Sequence, residues 1–527
     1  MQFTANSKYY LSKNGGIVLL SAIFLLCVFI RVYRLEEKPM HVDEAVHAVK
    51  FGYLLENNYY RYNPVEYHGS TLNYFSLIPA WILGKRTISE VTETTLRLVP
   101  VFSGLILILL LLFLKEIGKE FIVAAIILTG FSSINVFYNR YYIQESLLVS
   151  FSYSALILLY RYQTKKNLAL IIFSALFFAL AFASKETFII TAFSSAVSFF
   201  ILRFISRKAL SKFSISWKPL LIFFSTFITI STLFFTSFFS NPRGALDSIL
   251  TFANYFGKAG SNTEHIQPFY YYFSLVSFRI VDEVFFSELP ILMFFIFGLA
   301  RAFSNTNKNS NGIQFIRFLS IFTVIMTVIY SAIPYKTPWT MMSFWQGMIL
   351  IAAFGFAELL KFIPKANWYL LLSLIGIFMF VQSYYNSIVY SSNPQNPFVY
   401  SHAGNDVKTI ESFLTKVTAV QSEYINMSIY IAADKNDYWP LPWYLRKFKN
   451  TSWNDRINEN VCKFPIVIAS PELEGELIET IYTKAPAGHV NLYVPLFDKY
   501  VEIRPGKEIR GYIRKDYFDN YYNALSR

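Results

Sequence analysis

LALIIFSALFFALAFASKETFIITAFSSAVSFFILRFI, Leu168 to Ile205, is apolar on both sides of ASKETF (183–188), where Lys185 stands beside Glu186. Each flank approaches the ~20 residues that a bilayer-crossing helix needs. A charge at the centre of a bilayer is costly, so an adjacent Lys–Glu pair belongs at an edge or in a polar interior. The stretch therefore reads as two spans joined by a hairpin turn. Lys185 and Glu186 are then either a local ion pair of that turn or a site at which the lysine holds an anion such as phosphate.

The same pattern recurs along the chain. Apolar runs lie near 17–33, 97–114, 121–138, 143–160, 168–184, 187–206, 219–238, 286–303, 314–333, 340–360 and 367–386. The sequence thus predicts a polytopic α-helical membrane protein with about eleven transmembrane helices. Composition agrees: 54% hydrophobic, 19% aromatic and only 15% charged, with a mean hydropathy of +0.38. The net charge of +13 does not point to nucleic acid, because the basic residues fall in short clusters between apolar runs. The two cysteines, Cys27 and Cys462, imply no disulfide framework. The run at 17–32 follows Lys8 and Lys13 but has no small-residue cleavage site after it, so it reads as an uncleaved first span.

A cytoplasmic N-terminus places the loops with Lys115/Lys119, Arg161/Lys165/Lys166, Arg203/Arg207/Lys208/Lys212/Lys218, Arg301/Lys308/Arg317 and Lys361/Lys365 inside, as the positive-inside rule requires. The loops at 34–96 and 241–285 and the tail from 387 are then outside. The segment 71–83 is apolar but short and contains Pro79, and reads as an interfacial helix. NTNKNSNG (305–312) reads as a polar loop. The expected division is a membrane domain, 1–386, with juxtamembrane helices in its first outer loop, and a small extracytoplasmic α/β domain, 387–527. Strand-like NMSIYIAA (426–433) and FPIVIAS (464–470), with a helix near 404–420, give that tail its class.

Five polar constellations fall on the outer side. HVDEAVHAV (41–49) sets Asp43 and Glu44 between His41 and His47; a carboxylate at an apolar boundary suits a general base, and equally an acid at a helix N-terminus. PVEYHGSTLNYF (64–75) carries Glu66 and His68, residues able to bind a metal or a hydroxyl, or to form an ordinary loop. ASKETF is the third. NTEHIQPFYYYF (262–273) sets Glu264 and His265 before aromatics that suit an interface belt or a sugar-stacking platform. IPYKTPWT (333–340) puts Tyr335, Lys336 and Trp339 at a turn; an outer lysine calls for an anion such as lipid phosphate, or snorkels to headgroups. An acid, a phosphate-holding cation and aromatics on one face form a coherent set for glycosyl transfer from a lipid phosphate.

HVDEAVHA, YHGSTLNYF and TLRLVPVFSG (95–104) resemble the GT-C superfamily of membrane glycosyltransferases, which includes protein O-mannosyltransferases and the lipid A aminoarabinose transferase. With SKETF, PYKTPW, NPFVYSHAGNDV (396–407) and WPLPWYLR (439–446), the chain is similar over nearly its whole length to a prokaryotic family named as flippase activity-associated proteins of glycosylation pathways. The resemblance implies a GT-C fold in the plasma membrane, a polyprenyl-phosphate-linked sugar as donor, and inversion at the anomeric carbon. It implies Asp43 as catalytic base supported by Glu44, and a divalent metal held by Glu66, His68 and His265. Lys336, Tyr335 and Arg97 match positions around the donor, beside Lys185 and Glu186 of the charged turn. The HGS of this chain replaces a Lys-Pro stretch, so donor contacts in that loop do not carry over. The expected partners are membrane lipids, the lipid-linked sugar and a glycan, lipid or protein acceptor, with no nucleic acid. A lipid-linked-sugar flippase or a non-catalytic accessory subunit is the competing reading; ionisable residues gathered at one face rather than along mid-membrane halves favour the enzyme.

Overall fold

A computed structural model describes residues 13–66, 68–205, 216–258, 265–304, 310–420, 427–485, 488 and 490–526. The expected basic positions Lys8, Arg207, Lys208, Lys212 and Lys308, together with Tyr67, Asn262, Thr263, Glu264, Asn426 and most of NTNKNSNG, lie outside the described residues.

The chain runs through α1 (Lys13–Val32), α2 (Val42–Asn57), α3 (Thr71–Ile82), α4 (Glu93–Leu110), α5 (Lys119–Phe131), α6 (Ser133–Asn139), α7 (Glu145–Lys165), α8 (Leu168–Phe182), α9 (Phe188–Ile205), α10 (Trp217–Phe235), α11 (Gly244–Lys258) and α12 (Tyr271–Val276). A hairpin, β1 (Arg279–Val281) and β2 (Val284–Phe286), precedes α13 (Leu289–Ser304), α14 (Asn311–Ala332), α15 (Met342–Glu358) and α16 (Lys365–Tyr384). The remainder is α17 (Asp406–Ala419), β3 (Ile429–Ala432), α18 (Leu441–Tyr444), β4 (Thr451–Asn454), β5 (Ile466–Ala469), α19 (Glu474–Tyr482), β6 (Tyr493–Pro495), β7 (Glu502–Arg504), β8 (Lys507–Glu508), β9 (Arg510–Arg514) and α20 (Lys515–Leu525).

Every apolar run contains a helix, but the runs are not equal. Among the described residues six helices are long and apolar enough to cross a membrane: Glu93–Leu114, Phe188–Ile205, Trp217–Phe235, Asn311–Ala332, Pro338–Lys361 and Lys365–Val389. The chain is an integral membrane protein. Shorter apolar helices cover Gly16–Val32, Leu168–Phe182 and Leu289–Ser304. The run at 121–138 is not one straight helix: α5 and α6 meet at Ser132 at an angle of 54°. The break is chemically occupied. Trp345 Nε1–H donates to Ser132 Oγ (3.0 Å), and the freed amide of Ser133 donates to Glu288 Oε1 (2.5 Å). A helix can break inside an apolar unit only when such partners replace its lost ladder bonds.

The chain divides into two compact units. The first comprises residues 1–35, 61–72 and 97–389. Two buried arginines tie its first helix down. Arg140 donates to the carbonyls of Ile30, Arg31, Tyr33 and Arg34, closing the open carbonyl end of α1. Arg31 donates to Asn139 Oδ1 (3.0 Å) and to the Gly130 carbonyl (2.8 Å) at the end of α5. Helices α13 and α15 cross at near-backbone contact: a Cβ on Gly355 would lie 2.4 Å from the Phe294 carbonyl oxygen, and one on Gly298 2.2 Å from that of Ile351. Small residues at such crossings are what lets apolar helices pack closely.

The second unit gathers 36–60, 73–96 and 390–527. Its five-stranded sheet has the order β4–β3–β5–β9–β6. β3 runs parallel to β4 and β5, in the register Ile429↔Thr451 and Ile429↔Ile466, while β9 is antiparallel to β5 and β6. IYIA and IVIA are buried at every position, as strands covered on both faces should be. Tyr430, Ala432, Val467 and Ala469 close one face against Leu477 and Ile481 of α19.

Gly355→Leu should lower the thermal midpoint of the detergent-solubilised protein, because overpacking costs about 1–3 kcal/mol or more. Gly475→Ala, which meets nothing within 4 Å, should leave the midpoint unchanged. Equal effects would refute the close crossing.

Candidate functional site

In the second unit, HVDEAVHAV opens α2, and its residues divide the labour. His41 is the N-cap. Its Nδ1 accepts from the Asp43 amide (3.0 Å), and its own amide donates to Glu44 Oε2 (3.0 Å), so the two side chains form a reciprocal capping box. Glu44 is fully buried in that role. Asp43 is not: its side chain is 47% exposed, and its carboxylate lies 3.9 Å from His41 Nδ1. Accepting at Nδ1 puts the proton of neutral His41 on Nε2.

The cap is supported from the C-terminal segment of the same unit. The Met40 amide donates to Tyr444 Oη (2.8 Å). The His402 ring stands edge-on to that of His41 at 5.9 Å, with its Nδ1–H donating to the Ala403 carbonyl. Burial pushes the pKa of His402 well below 6.5. Burial also lowers His41, against the opposing pull of Asp43 and Glu44. Both imidazoles are therefore neutral at pH 7. WPLPWYLR supplies Tyr444 and also Trp443, whose Nε1–H donates to Glu93 Oε1 (2.9 Å) beneath the guanidinium of Arg446.

In the first unit, two motifs distant in sequence dock on each other. The Gly69 amide donates to the Ser184 carbonyl (3.1 Å), the Thr71 amide to that of Ala183 (3.3 Å), and the Thr71 and Ser184 hydroxyls are 2.7 Å apart. Gly69 is needed here because a Cβ would fall 2.0 Å from the Ala183 carbonyl oxygen. This junction brings His68 to Glu186, Nδ1 to Oε2, at 2.8 Å, and Tyr62 Oη–H to Glu186 Oε1 at 3.1 Å. Lys185 turns the other way and forms a buried ion pair with Glu145 at the start of α7. Burial opposes the charge of Lys185, but the charge of Glu145 and its hydrogen bond outweigh it and raise the pKa. Burial likewise opposes ionised Glu186, while His68 pulls the other way, and the carboxyl falls to about 2.

Lys336 lies on a short extended contact between PYKT and HIQP, where its amide donates to the His265 carbonyl and that of Gln267 to Pro334. Its ammonium donates to the carbonyls of Gln267 (2.8 Å) and Ile333 (2.6 Å), so among the described residues two of its three N–H groups are used. Tyr335 is 42% exposed and meets the His265 ring edge-on at 5.3 Å. Arg97 is fully buried and donates to the Leu35 carbonyl (2.8 Å), a structural clamp.

The residues expected to hold a metal do not fit one. No group of three or more His, Cys, Asp or Glu is assembled as a metal site among the described residues. Glu66 is solvent-exposed, and His68 is engaged by Glu186. His265 instead packs on Tyr335.

The turn reading of ASKETF accounts for Glu186 and Lys185 only with partners absent from the motif itself. Glu145, Tyr62, His402 and Tyr444 were not evident as site residues. An acid opening the serine-rich helix ESLLVSFSYS carries the same signal as Lys185 does.

No protein-family model and no curated protein sequence matches the chain. Its fold does match solved structures. ArnT from Cupriavidus metallidurans in the apo state superposes with a TM-score of 0.64 at 12% identity, over 94% of this chain and 98% of that one. The fold is of the GT-C type. ArnT bound to undecaprenyl phosphate gives 0.62 at 12% identity, over 95% and 98%. The archaeal oligosaccharyltransferase AglB from Archaeoglobus fulgidus, in complex with an inhibitory peptide and a dolichol-phosphate, gives 0.52 at 11% identity, over 88% of this chain and 70% of that one. At such identities the GT-C likeness is one of fold.

Two measurements test the charged junction. Lys185→Met should cost about 3–5 kcal/mol by stranding buried Glu145, and Lys185→Met with Glu145→Leu should recover most of it in thermal melts. The depressed Glu186 carboxyl contributes stability fully present above 4.5 and lost as pH falls toward about 2. The melting-temperature gap between wild type and Glu186→Gln should therefore close over that range; a gap constant with pH would refute the pairing.

Proposed function

We propose that the chain is a membrane glycosyltransferase that moves a sugar from a polyprenyl-phosphate donor to a glycan, lipid or protein acceptor at the extracytoplasmic face of the plasma membrane. The fold supports this reading, since two solved proteins that share it were captured with polyprenyl phosphates. The sequence motifs point the same way, toward the flippase activity-associated proteins of glycosylation pathways.

The observation that carries the assignment is the contrast within the α2 cap. Glu44, His41 and His402 are buried and mutually engaged, while Asp43 holds a half-exposed carboxylate on a rigid helix start. A carboxylate held on a helix start and open to solvent is what a general base requires. Asp43 takes the proton of the acceptor hydroxyl as its oxygen attacks the anomeric carbon. The bond from that carbon to the phosphate oxygen breaks, and the configuration inverts. The polyprenyl phosphate departs with the bonding electrons; the sequence resemblance is what assigns Lys336 and Tyr335 to the donor. Glu44 acts on the reaction only by holding His41 and the first turn. No metal step is part of this scheme.

Transfer from polyprenyl-phosphate sugars by the purified full-length protein in nanodiscs tests the reading. Asp43→Asn should reduce the rate by about 10²–10⁴-fold, the usual share of a general base. Glu44→Gln, whose amide oxygen can still accept from His41, should lose far less. Full activity of Asp43→Asn would remove the assignment. Translocation of the lipid-linked sugar without transfer would favour a flippase instead.

A further inference from the structure

The second unit carries an aromatic cluster that the cap does not use. In its sheet the chain leaves β3, goes to β4 on one side and returns to β5 on the other. In sheets of parallel strands, ligands bind beyond the carboxyl ends at such a reversal. The segment leaving β3 there is DKNDYW, 434–439. Its Tyr438 ring lies 5.0 Å from Trp453, near the carboxyl end of β4, and 6.4 Å from Trp439. All three rings are partly exposed.

The segment is fixed rather than loose. Arg504 Nη2 donates to the Asp437 carbonyl (3.2 Å) and to Asp437 Oδ1 (2.9 Å), and Lys507 pairs with Oδ2. Arg504 Nε is buried and makes no hydrogen bond among the described residues. Asn454 donates through Nδ2 to the Ile431 carbonyl and Ser452 Oγ, leaving its Oδ1 as an acceptor. Asp434, Lys435, Asp455 and Arg456, all exposed, lie within four residues of these aromatics in the chain.

We propose that Tyr438, Trp439 and Trp453 form a saccharide-binding platform, a second carbohydrate contact separate from Asp43. The choice of a saccharide rests in part on the glycosyl-transfer reading. The chemistry on the page favours it too. The C–H face of a pyranose lies flat on aromatic rings, and its hydroxyls need donors and acceptors of both kinds at the rim. A headgroup-inserting patch would not carry four exposed charges within four residues of its aromatics, since charges resist burial in lipid.

The full-length protein in phosphatidylcholine nanodiscs, titrated with a panel of soluble neutral oligosaccharides and followed by saturation-transfer NMR, tests this. At least one oligosaccharide should bind. Trp453→Ala should weaken it about tenfold, the scale of one lost stacking partner, while Trp453→Phe retains most of the affinity. Asp43→Asn should bind as wild type does. Unchanged melting of both Trp453 variants separates lost binding from lost folding. No binding by any oligosaccharide, undiminished binding by Trp453→Ala, or binding of a proline-rich peptide to the same residues in place of a saccharide overturns the proposal. Intact saccharide binding without any transfer activity counts against the catalytic reading alone.

Discussion

A charge removed from water must find its opposite or be extinguished, and the helical unit is arranged around that demand. Lys185 and Glu145 are both buried and meet each other. Their pairing fixes the α8–α9 turn against the start of α7. Because Lys185 is held there, Glu186 is free to face the other way, to His68 and Tyr62. The HGST loop can then lie along ASKE with only a glycine between the backbones. Coulomb attraction in such a medium is strong, yet desolvation consumes most of it. The pair is therefore better understood as a register pin than as a source of net stability.

The α2 cap follows a different logic. Its histidines are buried and uncharged, so it is held by hydrogen bonds whose direction depends on the tautomer rather than by ion pairing. Two carboxylates adjacent in sequence acquire opposite environments because a helix start turns successive side chains by about 100°. Glu44 points back to the cap amide and Asp43 points out. That separation gives one acid a structural task and leaves the other available for chemistry.

Much of the architecture was legible in sequence. Length and hydropathy marked each apolar run, and IYIA and IVIA lay in stretches legible as strands, though not as parallel or fully buried ones. The bend at Ser132 was not legible, because Phe131, Ser132 and Ser133 contain no proline or charge. Its cause lies in Trp345 and Glu288, far along the chain. Polar clusters were equally visible, but their partners were not. Spacing suggests that His68 sits beside Glu66, whereas the backbone at His68 is left-handed and the ring reaches Glu186. The metal reading rested on residue types and on a resemblance of motifs, and neither fixes geometry.

The second unit is discontinuous in the chain, and this bears on how the protein is made. The amide of Met40 awaits a tyrosine 404 residues further on. Until WPLPWYLR has been synthesised and folded, the start of α2 lacks one of its fastenings. Contacts so remote in sequence are the slowest to form, since the intervening chain must be ordered first. The segment bearing Asp43 is thus synthesised well before the tyrosine that fastens it. A chain truncated after α16 would lack this bond, so the start of α2 depends for one of its fastenings on the C-terminal region of its own unit.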